Sequence, residues 1–366
     1  MSASASAELD RLFKASERKR SCLVASDARL RNLLRRRVDA GEVVSPAKTL
    51  YARSSYWVRL RRHEQAVHVI RALQEKHPDW TFCRESAALA WGLPVSYAAL
   101  DVVHVATRHY GRLSRDGLIR FHAEGDFEPK TVQGLRVTSL ELTVMDCLRA
   151  ASFTDGLAIA DRALAVGKTS VRKLSGAIRA LGVHHRGARR AIGILAYADA
   201  RSESWAESAV RALAISQGFA LPRLQVEYPD PQDRSSVFRV DMVFATSKGD
   251  DVLCEVDGFE KYEDELMLAG RSPVRALADE QHREARLTLY GKPIMRFSYY
   301  DIVDTTRFVE RMLAYDIARR PEVARQVREL AKTSPGSALS FTVMPIDPDL
   351  VKRVAEEQGQ RLADDS

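Results

Sequence analysis

The stretch Phe238–Asp257, FRVDMVFATSKGDDVLCEVD, restricts the fold more than any other part of the chain. Two runs that alternate apolar and polar residues flank the polar turn Ser-Lys-Gly-Asp-Asp, which predicts two strands and a short connection. Successive strand residues face opposite sides. Val252, Cys254 and Val256 therefore form one face, and Leu253, Glu255 and Asp257 the other. In the first run Val240, Met242 and Phe244 make the apolar side, opposite Arg239, Asp241 and Val243. Pairing the strands core to core predicts Asp241 beside Glu255, with Asp257 about 7 Å further along the second strand.

Carboxylates held this close repel one another unless a proton or a cation lies between them. Mg²⁺ favours oxygen-rich sites and keeps waters that reach phosphate oxygens. The same pattern also suits an edge hairpin whose charged outer face blocks aggregation. The surroundings extend the first interpretation: helix 204–217, strands 223–228, 237–245 and 252–257, helix 273–290 and strand 293–299. This αβββαβ order, with Asp241, thirteen residues, then Glu255-Val256-Asp257, resembles the PD-(D/E)XK nucleases, and within them the very-short-patch-repair-like branch. The resemblance implies that Asp241 and Glu255 bind a divalent metal, Mg²⁺ or Mn²⁺, joined by Asp257 as a further ligand or proton acceptor. Asp257 stands where the family places a lysine, so Lys261 is expected to supply the missing positive charge. Glu207 matches the family's helix carboxylate, but Ser204-Trp205-Ala206-Glu207 is also a capping box. Arg283 would grip a phosphate or, alternatively, form a surface ion pair with Glu280 at helical spacing.

The 366 residues suffice for two or three domains. A net charge of +7 fits a phosphate-rich partner, chiefly because the basic residues bunch in the first third. Four scattered cysteines show no zinc spacing, which predicts buried free thiols in a reducing, cytoplasmic setting. No apolar run reaches the roughly 18 residues that a membrane span needs.

The front end carries that charge. After a short helix at 7–16, helix 27–40 places Leu30, Leu33, Leu34 and Val38 on one stripe and Arg31, Asn32, Arg35 and Arg36 away from it. Gly41 ends it, and Val43–Ala52 reads as a hairpin with Lys48 at its turn. Helix, arginine-rich helix and hairpin make the layout of a winged helix-turn-helix, with the four polar residues aimed at DNA and Lys48 at a phosphate. A solvated basic face on an ordinary helical subdomain is the alternative. The segment LRNLLRRRVDAGEVVSPAKTLYA, with TSLELTVMDCLRAASFTDGLAIADRAL downstream, resembles the AbiEi-type antitoxins of bacterial toxin–antitoxin systems. The resemblance implies a DNA-binding amino-terminal unit that represses its own operon, and a cognate toxin as a partner.

Helices at 61–76 and 85–92 and strands at 101–106, 117–122 and 131–137 make a mixed α/β middle. Asp146 and Asp161 lie on amphipathic helices, where a carboxylate is usually solvated or paired with arginine. His104 and His122 show no partner at ligand spacing. The expected class is α+β multidomain: winged helix at 1–60, AbiEi-like middle at 61–182, linker at 183–201, nuclease-like core at 202–315 and an extension at 316–366. Function is then expected to be DNA binding joined to metal-assisted phosphodiester hydrolysis. The alternative is an antitoxin-like repressor whose nuclease fold is inactive, and the missing lysine favours it.

Overall fold

The computed structural model describes residues 3–167, 169–182, 186–233, 235–257 and 285–332. The chain is mixed α+β and divides into two compact units, Met1–Cys147 and Leu148–Ser366. No described helix is long and apolar enough to cross a membrane.

The first unit opens with α1 (Ala3–Arg18), β1 (Leu23–Val24), α2 (Ala28–Asp39), β2 (Val43–Ala47) and β3 (Leu50–Arg53). The strands form one sheet in the order β1-β3-β2. Leu34 of α2 is fully buried with Leu9, Phe13, Leu23, Val43 and Tyr51, and Leu30, Leu33 and Val38 pack around them. Arg53 at the end of β3 donates to Asp10 and Glu17, which ties α1 to the hairpin. A short helix, α3 (Ser54–Trp57), leads into α4 (Arg62–Lys76). Cys22, Ala47 and Leu50 share a core with Val69, Ile70 and Leu73 of α4. The apolar core thus runs across the boundary expected near residue 60.

Beyond α4 come β4 (Thr81–Phe82), α5 (Arg84–Trp91), β5 (Val103–Thr107), β6 (Arg112–Leu113), β7 (Ile119–Ala123), β8 (Lys130–Val132) and β9 (Leu135–Val137). They form a six-stranded sheet in the order β6-β7-β5-β4-β9-β8. The stretch 131–137, expected as one strand, is a hairpin: Gln133 and Gly134 both take positive φ, 50° and 79°. Two successive left-handed residues reverse a chain tightly, and the matching twist joins β8 to β9 antiparallel.

The helix α6 (Leu140–Ala150) contains the boundary between the units. The second unit continues with α7 (Phe153–Val166), α8 (Val171–Gly182), α9 (Ala188–Leu195) and α10 (Trp205–Gln217). Two sequence expectations change here. The segment 183–201, expected as a linker, contains α9, whose Ala191, Ile194 and Leu195 are buried. Helix α7, expected in the middle domain, packs on α10. Apolar periodicity gives a helix its buried stripe but leaves its partner unspecified, so the domain border could not be read from it.

The second unit's sheet comprises β10 (Arg223–Pro229), β11 (Val237–Ala245), β12 (Asp251–Val256) and β13 (Ile294–Phe297), in that order. The first three are antiparallel, and β13 runs parallel to β12. Three helices close the described chain: α11 (Tyr299–Val303), α12 (Thr305–Ala314) and α13 (Pro321–Lys332). One sheet face, with Leu224, Met242, Phe244, Val252, Cys254, Val256, Met295 and Phe297, packs on Ala206, Val210 and Leu213 of α10. The other carries Tyr228, Phe238, Val240, Val243 and Leu253, which cluster with Leu287.

Candidate functional site

In the first unit, local capping aims α2. The Asp27 Oδ1 accepts from the Leu30 amide at 2.8 Å and starts the helix. With Leu34 fixed in the core, helical spacing turns Arg31, Asn32, Arg35 and Arg36 outward, and all four are exposed. Their charge is uncommitted. Arg37 pairs with Glu42, and Arg53 with Asp10 and Glu17. Among the described residues Arg31, Arg35 and Arg36 form no ion pair. Lys48 is exposed at the β2–β3 turn, followed by Thr49 at φ 71°. Only one helix, α2, lies between β1 and the hairpin.

In the second unit, the carboxylates gather at an irregularity that alternation alone does not foretell. Leu224 pairs with Met242 and Val226 with Val240, which sets Gln225 opposite Asp241. Gln225 takes φ 51°, a conformation that costs a non-glycine residue about 1 kcal/mol or more. The strands switch faces at this point. Met242 packs against α10, whereas Val240, expected on the same side, belongs to the opposite cluster. The kink leaves the half-buried Asp241 carboxylate reaching β12, where its Oδ2 accepts from the Val256 amide at 3.0 Å.

Glu207 lies in the first turn of α10 and is buried. Ser204 Oγ accepts from the Glu207 amide at 3.1 Å, while Glu207 Oε2 accepts from the Glu203 amide and Gln225 Nε2, each at 3.0 Å. The carboxylate therefore reaches one residue beyond the cap that a capping box would serve. Burial raises its pKa, the Glu203 amide opposes that, and the negative charge of Asp241 adds to the rise. Glu207 thus lies at the helix start without closing the expected capping box, and its charge lies near that of Asp241.

The register Met242↔Cys254 sets Asp241 and Glu255 one step beyond the last paired residues. Glu255 is buried, and on its other side β13 presents Arg296 as its register partner. Asp257 is half-buried, and its amide donates to the Phe297 carbonyl at 2.9 Å. A divalent ion would need these oxygens to converge. The Asp241 and Glu207 oxygens already accept protein hydrogen bonds. Among the described residues no group of three or more His, Cys, Asp or Glu side chains is arranged to hold a metal. Lys261 and Arg283, expected to contact the transferring phosphate, lie outside the described residues.

Three polar groups to which the sequence assigned no partner stand out. His104 Nδ1 and His122 Nε2 are 2.8 Å apart on β5 and β7, although no sequence spacing links them. Glu85 lies 3.5 Å from His104 Nε2. Asp161, expected solvated or paired, is paired with Arg211 and fully enclosed, and Asp146 is equally buried. Comparison with protein-family models, with curated proteins and with solved structures finds no match.

Proposed function

We propose that the protein binds DNA through the outer face of α2 and the tip of the β2–β3 hairpin, as a winged helix of the AbiEi antitoxin type. One observation carries this: Arg31, Arg35 and Arg36 project from one exposed face with no acidic partner among the described residues, while neighbouring Arg37 and Arg53 are neutralised. Exposed arginines without carboxylate partners are available to phosphates and base edges. Asn32 lies among them, and Lys48 offers a backbone contact. Repression of its own operon, with a cognate toxin as partner, follows from the same resemblance. The test is equilibrium binding to duplex DNA over a salt series, with Arg31, Arg35 and Arg36 changed together to Ala. Every phosphate that the variant no longer neutralises should flatten the plot of log K against log salt by about 0.9. Equal affinity and slope in wild type and variant would sink the proposal.

A second possibility is a Mg²⁺- or Mn²⁺-dependent endonuclease of the PD-(D/E)XK type in the second unit. The approach of Glu207 to Asp241 at the strand kink favours it. Against it stand Asp257 in the lysine position and the lack of convergence among the described carboxylates. A plasmid-nicking assay with either metal, wild type against Asp241→Ala, decides it. No cleavage by wild type leaves the inactive, repressor-like alternative.

A further inference from the structure

The hairpin tip does not stand alone on the first unit. Lys76, at the end of α4, donates from Nζ to Thr49 Oγ1 at 3.0 Å, so its ammonium lies at the β2–β3 turn. The next residue, His77, stacks on Trp80 with ring centroids 3.9 Å apart and planes 9° from parallel. Trp80 meets Phe121 of β7 edge-on at 5.3 Å, and Phe121 in turn neighbours Tyr110 at 6.0 Å. Over these last two rings lies the Arg112 guanidinium, 4.9 Å from the Phe121 centroid and 5.6 Å from that of Tyr110. A strip of cations and rings therefore runs from the β2–β3 turn to the edge strand β6.

Three features make this strip suited to a polyanion. The segment Arg108-His109-Tyr110-Gly111-Arg112-Leu113-Ser114-Arg115 contains no acidic residue. Lys76, Arg112 and Arg115 are exposed and form no ion pair among the described residues, whereas Arg108 is held by Asp126 at 2.8 Å. Arg112 is also restrained by the two rings beneath it. A planar guanidinium fixed on an aromatic face keeps its N–H edge for a phosphate and loses less freedom on binding. Asp116, which follows Arg115, accepts from the Ser114 hydroxyl and the Leu118 amide; these hold its pKa down, with a smaller contribution from Lys48, so it stays ionised.

We propose that Lys76, Arg112 and Arg115 extend the DNA surface past the hairpin, so that the first unit contacts the backbone of duplex flanking the segment met by α2. This rests on the reading that α2 and the hairpin bind DNA. The test uses the full chain and two mixed-sequence duplexes, one of a single helical turn, roughly 10 bp, and one of three turns, roughly 30 bp. The triple variant Lys76→Ala, Arg112→Ala and Arg115→Ala should bind the long duplex at least about tenfold more weakly, its salt slope falling by about 0.9 for every phosphate no longer neutralised. Its binding to the short duplex should match wild type. A second variant, Lys76→Arg with Arg112→Lys and Arg115→Lys, keeps the charges and should retain most long-duplex affinity.

Wild-type affinity and slope in the Ala variant overturn the extension. So does an equal loss on both duplexes, which would assign these residues to the α2 site. If only the Arg31, Arg35 and Arg36 variant loses binding, the α2 reading survives and the extension fails. If only the strip variant loses it, the α2 reading fails, and the strip binds DNA by itself rather than as an extension. No binding of either duplex by wild type overturns both.

Discussion

Arg211 of α10 donates from Nη1 to the Asp161 Oδ2 of α7 at 2.6 Å, and the two side chains are 5% and 1% exposed. Both partners make further hydrogen bonds. Ser208 Oγ donates to the same Asp161 oxygen, the Asp199 amide donates to the other, and Arg211 Nη2 reaches the Tyr197 carbonyl. Burial still raises the Asp161 pKa, although Arg211 and these hydrogen bonds work to lower it. The pair thus fastens α7 to α10 at a desolvation cost, and it depends on every partner being present.

Asp161→Ala is therefore expected to destabilise the second unit by about 3–5 kcal/mol, because it strands a buried guanidinium. The exposed pair Arg62–Asp101, 46% and 69% exposed, sets the contrast: Asp101→Ala should cost at most about 1 kcal/mol. Urea denaturation of both variants checks this. Similar small losses would mean that the buried pair contributes no more than a surface one.

On α2 the two faces should separate stability from binding. Leu34 is fully enclosed, so Leu34→Ala is expected to cost about 2–5 kcal/mol. Arg35→Ala with Arg36→Ala should stay within about 0.5 kcal/mol per site while weakening DNA binding. Thermal melts read beside binding isotherms test the split. Arginine variants that melt much earlier would assign those side chains a structural role.

Acid should loosen the first unit through its histidine pair. His122 is held down to about 3, chiefly by burial and then by the charge of Arg84, and His104 is lowered as well. An unfolded histidine takes its proton near pH 6.5. Between these values the unfolded chain binds more protons, so stability is full above about pH 6.5 and falls as the pH drops toward about 3. Arg84, Arg120, Glu85 and Glu124 surround the pair. His122→Gln should flatten this loss in stability measured against pH. An unchanged profile would place the acid sensitivity elsewhere.

Glu207 predicts the opposite slope. Its folded pKa is raised above 4.5, mainly by burial, so the folded state holds the proton more tightly than the unfolded chain. Its contribution is present below the unfolded pKa and is lost as pH rises through the folded one. Glu207→Gln keeps an acceptor for the Glu203 amide and carries no charge. The variant should gain stability relative to wild type between about pH 4 and pH 7. A constant difference between their melting temperatures across that range would contradict the raised pKa.

Sequence periodicity alone located most elements. The apolar stripe of α2, the strand runs of β11 and β12, and the Ser204 start of α10 depend on residues a few positions apart, so these elements are written locally. Tertiary structure decided the rest. Whether Val240 and Met242 share a face depended on the left-handed Gln225 of a neighbouring strand. The attachment of α7 to α10 depended on an arginine fifty residues from its aspartate. The distinction between neutralised and uncommitted arginines, on which the proposed DNA surface rests, depended on which carboxylates folding brought within about 4 Å. Backbone propensity and side-chain period act over a turn or two, whereas charge pairing and strand twist are set by partners that only the folded chain brings together.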